Sequence, residues 1–145
     1  MVSMGFAKLG FTNVNMDASW DTPTRDENGD LTPDPALWPS GIDATIKYVH
    51  DTGLGFGLYG DKGDKDCAKN PGQLGHEEQD AKWLAKHEVD WFKEDSCYSP
   101  QGESREDQIA AYAKMRDAIN ATGRHMWFAL CGWQTWCAQH GPNLQ

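Results

Sequence analysis

The strongest constraint on the fold is an alternation that runs along the chain. Short runs rich in apolar and β-branched residues, at Thr12 to Asp17, Leu54 to Tyr59, Val89 to Glu94 and His125 to Cys131, predict strands. Between them lie helical patterns. Gly41 to Thr52 places Ile42, Ile46 and Val49 on one face, with Gly53 behind it as a stop. Glu77 to His87 predicts a second helix. Ser104-Arg105-Glu106-Asp107 has the form of a capping box, opening a helix that ends near Thr122 before Gly123. Met1 to Gly10 reads as the end of a helix with Gly10 as its C-cap. The connections after strands are long. Trp20 to Ser40 contains an Asn28-Gly29 turn and Pro33, Pro35 and Pro39, and Gly60 to Gly75 is rich in Gly, Lys and Asp. The connections after helices are tight. That order predicts an α/β fold of parallel β/α units. In a (β/α)₈ TIM barrel the long loops at the C-terminal ends of the strands carry the site. Four strands are about half of such a barrel, which needs eight strands and roughly 250 residues. Residues 1–145 are therefore expected to be part of one barrel domain, with no second domain. A small open α/β sheet is the rival and would be complete at this length.

Composition narrows the partners. The net charge of −9 argues against nucleic acid and against an anionic membrane surface, both of which favour a basic face. The longest apolar run, Met126 to Cys131, is far too short to span a bilayer, and no signal-peptide pattern opens the chain. Seven tryptophans count against disorder. The four cysteines, at 67, 97, 131 and 137, form no C-x-x-C pair, which argues against a structural zinc site. Three full disulfide pairings remain open from the spacing alone. Asn120-Ala121-Thr122 is a weak glycosylation acceptor.

Side chains alternate across a strand, so the polar residues in these runs can be assigned to faces. Asn13, Asn15 and Asp17 share one face, as do Gly55, Gly57, Tyr59 and Asp61, and Val89, Trp91, Lys93 and Asp95. Phe56, Leu58 and Phe92 lie opposite, toward helices. Glu94 lies on that opposite side as well, where it either meets the helix layer or reaches solvent. One aspartate after a strand is usually a turn former or a cap. Asp17, Asp61 and Lys93 with Asp95 at the same register of successive strands point instead to a shared site on one rim. Lys93 two residues before Asp95 favours the ionised carboxylate, the form that a glycosidase nucleophile requires. A structural ion pair is the competing explanation.

Longer motifs carry a resemblance. Asn15-Met16-Asp17-Ala18-Ser19-Trp20, Arg25-Asp26-Glu27-Asn28-Gly29, Trp38-Pro39-Ser40-Gly41-Ile42, Gly57-Leu58-Tyr59-Gly60-Asp61 and Lys93-Glu94-Asp95-Ser96-Cys97-Tyr98 resemble, in order and spacing, the α-galactosidases of glycoside hydrolase family 27. Glu77-Glu78-Gln79-Asp80-Ala81 and Cys131-Gly132-Trp133 continue the match. The resemblance implies a retaining hydrolase, secreted or vacuolar/lysosomal, that releases terminal α-linked galactose from oligosaccharides or glycoconjugates without metal or cofactor. It implies a (β/α)₈ barrel of which roughly strands 2 to 5 are present. By the same resemblance Asp95 matches the nucleophile, and Lys93 and Asp17 match sugar-hydroxyl ligands. Tyr59 matches a position near the nucleophile, and Tyr59, Cys67 and Trp133 are expected among the substrate-binding residues. Trp20 matches a pocket wall. Apart from the resemblance, Trp133 and Trp136 are expected either to form an apolar wall for a sugar face or to pack against the next β/α unit. Cys67 and Cys97 match a family disulfide.

Three departures stand out. Ala18 replaces the second Asp of an Asp-Asp pair, Gly132 and Thr135 replace sugar-contacting positions, and the family's acid/base Asp falls outside these residues. These departures keep two alternatives in view, an α-N-acetylgalactosaminidase and a non-catalytic sugar-binding relic.

Overall fold

The helices begin and end where local chemistry dictates. Ser104 accepts from the Asp107 amide and Asp107 accepts from the Ser104 amide, the reciprocal capping that opens the longest helix. Gly53, at φ 78°, takes the left-handed turn out of the first helix. The computed structural model describes residues 1–132. A turn of 3-10 helix (Phe6–Leu9) leads to β1 (Asn13–Asn15), α1 (Ile42–Asp51), β2 (Gly55–Asp61), α2 (Glu77–Lys86), β3 (Trp91–Asp95), α3 (Arg105–Ala121) and β4 (Trp127–Leu130). The opening segment is thus one 3-10 turn capped by Gly10, rather than the end of an α-helix. None of its residues is buried, so no apolar face selects a longer helix.

The four strands are all parallel and pair in chain order, β1-β2-β3-β4. Each new strand is added at the same edge, so the described residues contain no reversal of strand order of the kind that marks a doubly wound open sheet. Ile42, Ile46 and Val49 of α1, Ala81, Trp83 and Leu84 of α2, and Met115, Ala118 and Ile119 of α3 form one core with Phe56, Leu58 and Phe92 of the sheet. Phe92 and Phe128 stack at 6.4 Å across β3 and β4. The other face of the sheet carries the polar residues. Crowding there explains Gly57, where an added Cβ would lie 2.3 Å from Asn15 Oδ1 and 2.9 Å from the Trp91 ring. At the outer edge β4 exposes Trp127, 67% accessible.

The long loop after β1 is anchored by one side chain. Arg25 donates from both terminal nitrogens to the Asp80 carboxylate of α2, at 2.6 and 2.7 Å, and also to the carbonyls of Gly29 and Gly72. Asp80 is fully buried. Bidentate pairing of this kind satisfies the charge that burial would otherwise penalise.

Glu94 does not reach solvent. It is 0% exposed on the helix side of β3, and neither of its carboxyl oxygens has a hydrogen-bond partner. Burial, reinforced by the charges of Asp61, Glu77 and Asp80 and only partly opposed by Lys62, pushes its pKa well above the ordinary 4.5.

Two outcomes are expected. Arg25→Met leaves the buried Asp80 charge without its partner and should lower the unfolding free energy by about 3–5 kcal/mol in urea titrations. A loss under about 1 kcal/mol would show that Asp80 is satisfied in another way. Glu94 binds its proton in the folded chain at pH values where the unfolded chain has released it. Its contribution is therefore present below about pH 4.5 and is lost as pH rises toward the elevated folded pKa. Glu94→Gln should flatten that decline, so that stability at about pH 8 relative to about pH 5 improves in the variant.

Candidate active site

The site is built at the C-terminal ends of β1, β2 and β3. Register sets its layout, because Tyr59 on β2 pairs with Lys93 on β3, and Asp61 pairs with Asp95 one layer higher. Asp17 follows β1 at the same end. Lys93 joins them: its Nζ donates to Asp17 Oδ2 at 2.9 Å, lies 3.7 Å from Asp95 Oδ2, and sits 4.7 Å from the centre of the Tyr59 ring. The Tyr59 hydroxyl lies 3.4 Å from Asp95 Oδ2 and 2.9 Å from Cys67 Sγ. Asp95 itself is 3% exposed, while Asp17 opens to solvent. Asp17, Tyr59, Lys93, Cys67 and Asp95 are therefore brought together at one end of the sheet.

Electrostatics follow the geometry. The Lys93 hydrogen bond holds the Asp17 carboxyl below the ordinary aspartate range, against a smaller effect of burial. Burial pulls Lys93 down, but the hydrogen bond and charge of Asp17 outweigh it and keep the ammonium above the usual lysine value. Burial also raises the Tyr59 phenol, with the charges of Asp95 and Asp61 adding to it. Lys93 is thus a fixed cation and Tyr59 a neutral hydroxyl in the working pH range. The arrangement offers a recessed carboxylate, one ammonium donor and one exposed carboxylate acceptor. That suits a polyhydroxylated ligand with an electrophilic carbon placed over Asp95.

Other expected residues behave differently. Trp20, expected at the pocket wall, is a core residue at 2% exposure. Its indole N–H donates to the Tyr59 carbonyl at 2.8 Å, and its ring lies 5.5 Å from Trp83 of α2. Asp61, placed on the rim with Asp17 and Asp95, is fully buried. Its two oxygens accept from the amides of Gly63 and Cys97, the backbone-capping use of aspartate. Ala18 packs against the apolar core. Asn120 is exposed in the last turn of α3. Trp133, Thr135, Trp136 and Cys137 lie outside the described residues.

Cys67 and Cys97 form a disulfide with Cα atoms 5.2 Å apart, tying the loop after β2 to the loop after β3. Asp61, Cys67, Asp95 and Cys97 bring four donor atoms within 4.8 Å of one another. The disulfide removes both sulfurs as thiolate ligands, and both Asp61 oxygens are taken by amides, so the cluster is accounted for without an ion. Three further loop contacts carry no periodic signal in the sequence. Asn70 donates to the carbonyl and carboxylate of Asp21, Gln73 accepts from the Asp61 amide, and Arg25 bridges two loops to α2. Replacing Cys67 and Cys97 together by alanine is expected to lower stability by about 2–4 kcal/mol, and reduction of the wild-type bond by a dithiol should reproduce that loss. Equal stability of the oxidised and reduced forms would contradict this.

The sequence and the fold have counterparts among known proteins. A family model described as Alpha galactosidase A, of the melibiases, matches residues 1–144. Alpha-galactosidase 3 of Arabidopsis thaliana is 43% identical over 133 residues, covering 92% of this chain and 30% of its own length. The alpha-galactosidase of Coffea arabica is 42% identical over 149 residues, covering 99% and 38%. The chain thus spans 30% and 38% of the length of these two curated relatives. A solved structure of the Saccharomyces cerevisiae α-galactosidase with raffinose superposes with a TM-score of 0.87 at 34% identity, covering 91% of this chain and 29% of that one. A β-L-arabinopyranosidase of glycoside hydrolase family 27 from Geobacillus stearothermophilus, at 18% identity and a TM-score of 0.72, shares the fold alone. The three β/α units and the fourth strand are part of a (β/α)₈ barrel, and the chain belongs to the Alpha galactosidase A family of glycoside hydrolases.

Proposed function

We propose that the protein carrying this chain is a retaining glycoside hydrolase that releases terminal α-linked galactose, with Asp95 as its nucleophile. The observation that supports this most is the recessed Asp95 carboxylate at the end of β3, with Lys93 and Tyr59 against it and Asp17 held across the opening by Lys93. The Asp95 carboxylate attacks the anomeric carbon as the bond to the leaving oxygen breaks, giving a glycosyl-enzyme ester. Water then attacks the same carbon and frees Asp95. Lys93 donates to sugar hydroxyls and Asp17 accepts from them, fixing the ring over the nucleophile. The leaving oxygen needs a proton from a second carboxyl roughly 5–5.5 Å from the first. Among the described residues, Asp61 is buried and spent on amides, and Asp17 is tied to Lys93. The acid therefore comes from outside the described residues.

The ligand is a galactose-containing oligosaccharide or glycoconjugate, in keeping with the raffinose in the yeast structure. The Cys67–Cys97 disulfide favours a secreted or vacuolar/lysosomal location, where Asn120 is open to glycosylation. No helix among the described residues is long and apolar enough to cross a membrane.

The test is turnover of aryl α-galactosides by the complete gene product, by its Asp95→Asn variant and by residues 1–145 alone. The complete protein should turn over, and Asp95→Asn should lose on the order of 10⁴-fold or more in kcat, as expected for a missing covalent nucleophile. Residues 1–145 alone should be inactive, because general-acid help typically contributes about 10²- to 10⁴-fold. Undiminished turnover by Asp95→Asn would falsify the assignment. Turnover of α-N-acetylgalactosaminides in preference to galactosides would move the specificity to the amino sugar. Sugar binding without turnover of either would mark a non-catalytic relic.

A further inference from the structure

The turn that follows Asp95 is held by several contacts from the neighbouring loop. Asp61 Oδ2 accepts from the Cys97 amide at 2.6 Å, and Oδ1 accepts from the Gly63 amide at 2.8 Å. The Lys62 amide donates to the Asp95 carbonyl at 3.0 Å. Asp61 is itself gripped on both sides by the fully buried Gln73. The Gln73 side chain accepts from the Asp61 amide, and the Gln73 amide donates to the Asp61 carbonyl at 2.8 Å. The two loops touch backbone to backbone, since a Cβ added to Gly63 would lie 2.3 Å from the Tyr98 carbonyl oxygen.

We infer that Asp61 is a positioning residue for the nucleophile, acting by accepting the Cys97 and Gly63 amides at once and so fixing the turn from which Asp95 is aimed. The inference rests on Asp95 being the nucleophile. Asp61 is fully buried with both oxygens on amides, so it acts through the backbone. Its role requires charge as well as shape. An ionised carboxylate offers an acceptor to each amide. A protonated carboxyl, or an asparagine, offers one acceptor and turns a donor toward the other amide, which burial then leaves without a partner. Asp61→Asn is therefore a permanent mimic of the protonated state. The disulfide at Cys97 keeps the loops joined in either state, so loss of the carboxylate loosens the aim of Asp95 without releasing the loop.

The same geometry makes the device sensitive to pH. Burial pushes the Asp61 carboxyl up to about 6 against the pull of the Cys97 and Gly63 amides, with the charges of Asp95 and Asp66 adding to the rise. The titratable groups around it are Asp95 and Glu94 on β3, Tyr59 on β2, Lys62 and Asp66 in the loop after it, and Tyr112 on α3. Protonation of Asp61 leaves one of the two amides without its acceptor.

The experiment uses the complete gene product and an aryl α-galactoside, with kcat and KM measured from about pH 4 to 8 for wild type, Asp61→Asn and Asp95→Asn. Asp61→Asn is expected to lower kcat by about 30- to 100-fold, the scale of a misaimed reacting group. KM should stay within about threefold, because Lys93 and Asp17 are untouched. The wild-type kcat should fall below about pH 6, and the variant should lack that limb. In wild-type protein labelled with ¹⁵N-cysteine, the Cys97 amide resonance should titrate with the same midpoint as kcat, a measurement that does not depend on the variant folding. A folded Asp61→Asn with wild-type kcat and the wild-type acid limb overturns the inference, as does a Cys97 amide that does not move across that limb. Activity surviving in Asp95→Asn would overturn the nucleophile assignment instead, so the two failures are distinguishable.

Discussion

Parallel pairing of β2 with β3 sets Tyr59 beside Lys93 and Asp61 beside Asp95, and the chemistry at this end of the sheet depends on that register. Residues in register on parallel strands point to the same face. A slip of one residue would send Lys93 and Asp95 into the helix layer and bring Glu94 to the open face. The slip is opposed by Phe92 and Leu58, both fully buried beneath the helices. The apolar side of the sheet thus determines which carboxylate is presented on the polar side.

Above the sheet, the loops contribute few apolar side chains and rely on polar cross-links. A disulfide joins the loops after β2 and β3, the Asp61 carboxylate bonds across the same gap, and the Arg25 guanidinium ties the loops after β1 and β2 to α2. Each suits a different requirement. The covalent bond limits how far the loops can part. The charge-assisted bonds fix orientation, since they weaken steeply off their preferred angles. Burying Asp61, Asp80 and Asp21 carries a desolvation cost that the two amides on Asp61, Arg25 on Asp80 and Asn70 on Asp21 offset. Glu94 is the exception. With no partner for either oxygen, it is accommodated by keeping its proton.

Much of the fold was legible residue by residue. Ile42, Ile46 and Val49 at helical spacing are the buried face of α1, and Ser104 with Asp107 is the capping box of α3. Alternation along the strands placed Lys93 and Asp95 on one face, because a strand has a period of two whatever surrounds it. The burial of Trp20 and Asp61 was not legible for a common reason. Each follows or ends a strand in a segment whose direction is decided by contacts with residues 36 to 63 positions away, namely Trp83, Tyr59 and Cys97. The Gln73 and Asn70 contacts likewise join loop residues with no period to announce them.

The sequence by itself determined the order of parallel β/α units, the end of the sheet on which the polar residues gather, and, through its motifs, the family. These depend on local periodicity and on residue identity, which can be read one segment at a time. Only the tertiary structure decided which of the gathered carboxyls faces the opening. Asp95 and Asp61 share a register and a residue type, but both Asp61 oxygens accept amides, from Gly63 and Cys97, whereas on Asp95 only Oδ1 accepts an amide, from Ser96, and Oδ2 is left facing Tyr59 and Lys93. Whether a carboxylate is left available to a ligand depends on which backbone donors fold back onto it, and those donors are positioned by the packing of loops from different β/α units.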